Sequence, residues 1–365
     1  MKLIFAGNLH YGGAVQVAVS FISELVSLGP SELKDIDVIV SSAIHNQLDI
    51  DLSMFNNYSV IDFFGAKFFS GKNNLEFFYD VCFVVFGPIY YSLNARNYVV
   101  GFAQPWIAYS DNDVYPKLSL HEKIKNKMRF FIQDKLFRRY QHLVVEHKHV
   151  KDALLAKGYH NNITVVSNSY ASVFDYPDMW KKVNSPINTS QRLALGFIGC
   201  AYPHKNLAIL NQVDSILTEK YGVEVDFLFT LTKEEMQHLN FDKKNNFYTV
   251  GRVSLAQCPS FYQLVDALIF PSQLECFSAT PLEAMKMRKT VFASNYPFIS
   301  EVCMDAGIYF DANDAFDIAR VIHEGLNDSD TLKHKIELGS DIVNNAPTAR
   351  QRALSYLEVL SSYNK

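Results

Sequence analysis

The chain has 365 residues, more than one ordinary core accommodates and a natural length for two domains. Hydrophobic residues make up 48% and charged residues 20%, which excludes a disordered chain. The net charge of −4 excludes a general attraction to nucleic acid, so any basic function is local.

Residues 2–6 read as a buried strand and 7–13 as a loop. From Ala14, the apolar Val15, Ala18, Val19, Ile22 and Val26 fall at helical spacing. Further strands are predicted at 36–41, 59–64, 97–103, 142–145 and 163–166, with a helix over 150–157. Residues 117–140 interleave Lys117, Lys123, Lys125, Lys127, Arg129, Lys135, Arg138 and Arg139 with Ile124, Met128, Phe130, Phe131, Ile132, Leu136 and Phe137. On a helix this places a basic side beside an apolar one. The apolar side either packs on its own domain or faces lipid; the basic excess fits an anionic membrane surface. A nucleic-acid partner is not expected, because the phenylalanines stand among Leu and Ile rather than as a stacking platform.

Residues 175–191 lack periodicity, carry Pro177 and Pro186, and read as a linker. Strand–helix alternation then resumes. Strands are predicted at 193–198, 225–229, 247–250, 267–270, 290–293 and 308–310. Helices are predicted at 207–220, 260–264, 281–287, 315–326 and 348–361. The expected domains are 1–174 and 192–345, with a final helix in 346–365. Such alternation means parallel sheets covered on both faces, whose ligands bind beyond the carboxyl ends of the strands.

The cysteines, Cys82, Cys200, Cys258, Cys276 and Cys303, are odd in number and have no metal or redox spacing. A reduced, cytoplasmic chain is expected. The longest apolar run, 81–91, is broken by Gly87-Pro88 and is too short to span a bilayer. The initial run, 1–6, is short and gives way to polar Asn8 and His10, so no signal peptide is expected. The protein is expected to be soluble or attached to a membrane from one side.

Three segments at strand ends carry chemistry. In 271–284, Glu275 stands in a loop where its carboxylate can reach sugar hydroxyls, and Thr280-Pro281 opens a helix whose N–H groups suit a diphosphate. Glu283, three residues after Thr280, is either a ligand contact or the acid of a capping box. In 197–206, Lys205 follows a strand and can neutralise a departing diphosphate, or is a solvated lysine in a helix cap. Arg252, after another strand, is either a second phosphate cation or a surface residue. Gly12-Gly13 lets backbone approach a ligand, or is simply a turn.

The Glu275–Glu283 pair, its Phe-small-residue turn and the Pro-Leu-Glu-Ala helix start resemble the retaining glycosyltransferases of family 4. The resemblance implies the GT-B fold, an α/β architecture of two doubly wound Rossmann-like domains facing across a cleft. It implies that Glu275 contacts the donor sugar, that backbone amides of Phe277, Ser278 and Ala279 contact sugar and phosphate, and that Glu283 bonds the ribose. It implies that Lys205 and Asn206 match the family's Lys-Asn, and that Gly12 and Gly13 match its glycine-rich loop. The segment 165–169 resembles the family's strand ending in Asn, and 291–301 its closing strand and acidic turn at Glu301. The chain departs from the pattern at Ser278 in place of Gly, at Cys200 in place of Arg, and at Gln104 where many relatives have His. Gln104 and His10 are therefore the acceptor-side candidates.

The expected activity is transfer of a sugar, with retention, from a nucleoside-diphosphate sugar to a hydroxyl of a lipid-linked glycan, as in surface-polysaccharide or lipopolysaccharide assembly. No cofactor or metal is expected: Asp111-Asn112-Asp113 has the letters of a metal motif but lies in a loop beyond Gln104. The rival reading is a non-catalytic GT-B protein that binds glycan or nucleotide. A phosphorylase or epimerase is a further rival whose signatures are not found.

Overall fold

The computed structural model describes residues 1–65, 77–187 and 192–363. Residues 188–191, the last four of the expected linker, lie outside the described residues. The chain divides into two units. One comprises 1–111, 117–171 and 347–365; the other comprises 112–116 and 172–346.

The first unit runs β1 (Lys2–Ala6), α1 (Gly13–Leu28), α2 (Pro30–Leu33), β2 (Ile36–Val40), α3 (Ser42–His45), β3 (Asn57–Val60) and β4 (Tyr79–Val84). It continues β5 (Ala95–Phe102), α4 (Pro105–Ala108), α5 (Leu120–Phe137), β6 (His142–Val145), α6 (Lys148–Ala156) and β7 (Asn162–Val165). The strands pair in the order β3-β2-β1-β4-β5-β6-β7, all parallel. Leu3, Ile4, Phe5 and Ala6 are wholly buried, as a parallel strand covered on both faces requires. The order reverses between β1 and β4.

The second unit runs β8 (Leu193–Phe197), α7 (Leu210–Tyr221), β9 (Val225–Phe229), α8 (Lys233–His238), β10 (Phe247–Thr249), α9 (Cys258–Gln263) and β11 (Ala267–Phe270). It continues α10 (Thr280–Lys286), β12 (Thr290–Ser294), α11 (Pro297–Cys303), β13 (Gly307–Phe310), α12 (Ala315–Asn327) and α13 (Ser329–Asn345). Its strands pair in the order β10-β9-β8-β11-β12-β13, again all parallel. The reversal falls between β8 and β11. Much of the aromatic content fills this core: the Phe227 and Phe247 rings lie 4.6 Å apart, and those of Phe229 and Phe241 4.9 Å.

The last helix, α14 (Ala349–Ser361), belongs to the first unit and starts at a Thr348–Gln351 capping box. Its Arg352 is buried. The guanidinium bonds Asn168 Oδ1 and Ser20 Oγ (2.8 Å), and Asn168 Nδ2 donates to Glu146 at 2.5 Å. Asn168, three residues beyond the end of β7, thus joins a buried acid to the C-terminal helix.

Helix α5 starts at a Ser119–Glu122 capping box. Phe130, Gln133 and Phe137 are buried, whereas Leu120, Ile124, Met128, Phe131 and Ile132 are 52–75% exposed. Part of its apolar content therefore packs on its own unit, and the rest stands exposed on another face. To the expected elements the structure adds β4, at the start of the apolar run from Val81, and the helices α2, α3, α4, α8, α11 and α13; β3 lies at 57–60 rather than 59–64, and Glu301 sits on α11 rather than in a turn.

Candidate functional site

In the second unit the loops that follow β8 and β11 emerge side by side where strand order reverses, the place where such sheets take ligands. They are stitched together by backbone. Gln273 N–H donates to His204 O at 2.8 Å, and Ser294 Oγ, at the end of β12, donates to Ser272 O at 2.5 Å. Two of the residues singled out in the sequence meet at this seam. The Lys205 ammonium pairs with Glu275 Oε1, which also accepts a 2.8 Å bond from Ser272 Oγ. Their side chains are 13% and 12% exposed. Lys205 also lies 5.1 Å from the centre of the Phe270 ring. His204, next to the pair, is pushed down to about 4 by burial, so it is neutral and adds no third charge.

Lys205 does not open a helix as expected. It ends a 3-10 turn, Pro203–Lys205; a second turn, Leu207–Ile209, precedes α7. The turns are separated by Asn206, held at φ 55° in the left-handed region that Asn tolerates, with its Nδ2 on Ala312 O at 2.7 Å. The Asn206 side chain therefore fixes the loop.

The expected capping box at α10 is absent. The cap position is Ala279, without a side-chain bond, and Thr280 and Pro281 are the first helical residues. Glu283 turns away to accept a 3.0 Å bond from the hydroxyl of Tyr262, a buried residue of α9. Burial lifts its carboxyl to about 7, against the pull of that hydrogen bond. The first helical turn closes with Glu283 N–H on Ala279 O at 2.9 Å, so the amides of Phe277, Ser278 and Ala279 precede the ladder. Ser278 is buried in this turn.

Arg252 is committed elsewhere. Its fork donates to both Glu235 oxygens at 2.6 Å and to the carbonyls of Gly199 (2.8 Å) and Thr230 (3.2 Å). Glu235 accepts in turn from Ala201 N–H at 3.0 Å. Arg252 thereby shapes the loop holding Cys200 through a charged bracket. Gly199 in that loop has φ 146°, which favours glycine.

In the first unit Gly12 and Gly13 lie after β1, beside the reversal of that sheet, where Asn8 Nδ2 reaches Phe86 O at 2.8 Å. Gly12 adopts φ 69°, ψ −157°, a conformation essentially closed to other residues; a Cβ at Gly13 would meet open space. His10 Nε2 bonds the Phe63 carbonyl at 2.9 Å, so that nitrogen carries hydrogen, and Nδ1 lies 3.5 Å from Asp62. Gln104 caps α4 through its carbonyl, which accepts from Ile107 and Ala108.

Ser272, Tyr262, Glu235 and Asp62 were not singled out in the sequence. Each lies far along the chain from its partner or carries no local pattern; only Ser272, three residues before Glu275, stood inside a recognised segment.

The two parallel-sheet Rossmann-like units define the GT-B fold. Residues 183–346, the span holding Lys205, Glu275 and Glu283, match the family described as Glycosyl transferases group 1. Over 197 residues the chain is 25% identical to the O-antigen chain mannosyltransferase RfbU of Salmonella typhimurium, covering 50% of this chain and 53% of that protein. The chain thus spans about half the length of that curated relative. Among solved structures, sucrose-phosphate synthase of Thermosynechococcus elongatus superposes with TM-score 0.69 at 12% identity, covering 99% of this chain and 98% of that one. Anabaena Alr3699/HepE in complex with UDP and glucose gives 0.68 at 14%, covering 99% and 100%. A glycosyltransferase from Rickettsia africae gives 0.63 at 14%, covering 100% and 98%.

Proposed function

We propose that the protein is a retaining glycosyltransferase that moves a sugar from a nucleoside diphosphate to a hydroxyl of a lipid-linked glycan in surface-polysaccharide assembly. The observation that carries this reading is the meeting of Lys205 and Glu275 at the strand-order reversal, inside the matched span. In the proposed reaction Glu275 accepts hydrogen bonds from donor-sugar hydroxyls and Glu283, oriented by Tyr262, accepts from the ribose. The amides of Phe277–Ala279 take phosphate oxygens. Lys205 faces the charge that grows on the diphosphate as the bond from sugar C1 to phosphate oxygen breaks. The acceptor oxygen bonds to C1 on the same face, and its proton passes to the departing phosphate oxygen. No enzyme base is required. Lys205 supplies the cation, so the reaction is proposed to need no metal, and activity in EDTA should equal activity without it. The likeness to RfbU makes mannose the first sugar to test and O-antigen-type glycans the first acceptors.

The acceptor class draws support from α5. No helix among the described residues is long and apolar enough to cross a membrane. The exposed stripe of Leu120, Ile124, Met128, Phe131 and Ile132 lies opposite the packed face, and exposed Lys125, Lys127, Arg129, Lys135 and Arg139 flank it. Such a surface suits the anionic inner leaflet, where each basic residue contributes roughly 1 kcal/mol.

A second reading, a non-catalytic binder, is favoured by Cys200 and by the commitment of Arg252 to Glu235. A thermal-shift panel of nucleotide sugars tests what the two readings share. A donor at one hundred times its dissociation constant should stabilise the protein by about 2.7 kcal/mol. No shift with any donor would remove the transferase and the nucleotide-binding form of the second reading.

A further inference from the structure

Lys205 and Glu275, the groups assigned to the diphosphate and to the sugar of the donor, neutralise one another. Both side chains are almost wholly withheld from water, and a buried charge without a partner is strongly unfavourable. Among the described residues, His204 beside the pair is neutral and Arg252 is held by Glu235, so neither supplies a competing charge. Ser272 Oγ holds the Glu275 carboxylate from the loop side, so the geometry is set by backbone-anchored groups rather than by two free side chains.

We infer that Lys205 and Glu275 form an exchange pair that expels the nucleoside-diphosphate product. This rests on the donor reading above and gives that site a second step. When an intact donor binds, its diphosphate takes the Lys205 ammonium and its sugar hydroxyls take the Glu275 carboxylate. Each charge trades one partner for another and neither is stranded. After transfer the sugar has left, and Glu275 has lost what replaced Lys205. The carboxylate then competes with the diphosphate for the ammonium and recaptures it. Glu275 therefore favours the intact donor over the bare diphosphate, and lowers product inhibition, without any domain movement.

The test is the affinity of the full chain for ADP, GDP, UDP and CDP, measured by calorimetry on the parent, Glu275→Gln, Lys205→Gln and the double variant. Gln at 275 keeps the shape and the bond from Ser272 but removes the competing charge. The diphosphate that binds the parent should bind Glu275→Gln more tightly, on the order of tenfold, with slower release. In the Lys205→Gln background the same change should bring no gain. Ser272→Ala, which loosens the carboxylate without changing charge, should shift affinity in the same direction by less, and guards against a folding defect in Glu275→Gln. A diphosphate that binds parent and Glu275→Gln equally, or a gain that persists without Lys205, overturns the exchange while leaving the donor reading intact. If none of the four diphosphates binds any variant, the exchange falls together with the donor reading.

Discussion

Near neutral pH the Glu283 carboxyl, lifted to about 7 by burial, is only partly ionised. A protonated carboxyl accepts ribose hydroxyls poorly, so donor affinity should rise between pH 6 and pH 8, and Glu283→Gln should flatten that profile. Isothermal titration at several pH values reads this directly. The same group makes a stability statement with the opposite slope. Its folded value is above the ordinary 4.5, so between about 4.5 and 7 the folded state holds a proton that the unfolded chain has released. Its contribution is complete below 4.5 and is lost as pH rises through 7; relative to Glu283→Gln, the parent should melt progressively lower from pH 5 to pH 8. At saturating pH, Glu283→Gln should weaken donor binding by about 1.5–3 kcal/mol, the scale of a charge-assisted hydrogen bond. Lys205→Ala should lower kcat far more than it alters donor affinity, because the charge it faces grows in the transition state. Equal turnover would remove Lys205 from the chemistry. The sequence showed Glu275, Lys205 and Glu283 through their positions after strands, because a strand end is a local pattern. It could not show that Glu283 turns to Tyr262, because that partner lies 21 residues away on another helix.

Two helices carry most of what the elements add. On α14, Arg352 is buried against Asn168 and Ser20, within the field of Glu146 and Glu24. Arg352→Ala strands those buried acids and should cost about 3–5 kcal/mol in denaturant unfolding. A loss within experimental error would show that solvent reaches the network. On α5, charge reversal at Lys125, Lys127 and Arg129 should release the protein from anionic vesicles with unchanged circular dichroism. Serine at Leu120, Met128 and Phe131 should weaken the remaining, salt-resistant part of binding. A parent that ignores such vesicles at low salt ends the membrane reading. The amphipathic pattern of α5 was legible from spacing alone; which apolar residues pack and which face outward was not, because both sets share helical periodicity. The 3-10 turns around Lys205 were equally hidden. A Pro-initiated turn and a left-handed Asn occupy 203–206, where Lys205 was expected to stand at the helix start.

At the scale of the whole molecule, strand–helix alternation was enough to reach two parallel sheets, since few topologies satisfy it. Strand order, and with it the seam where Lys205 meets Glu275, is a long-range property and emerged only in three dimensions. The function proposed for the chain is transfer of a sugar from a nucleotide to a lipid-linked glycan. Its most direct test incubates the full chain with radiolabelled nucleotide sugars, GDP-mannose, UDP-glucose and UDP-N-acetylglucosamine among them, and membranes bearing lipid-linked glycans, in EDTA. The expected result is that one donor is consumed, its label enters the lipid fraction with the donor's anomeric configuration, and Lys205→Ala abolishes the transfer. Label that stays on every donor, with no nucleoside diphosphate released by a folded protein, would contradict the account.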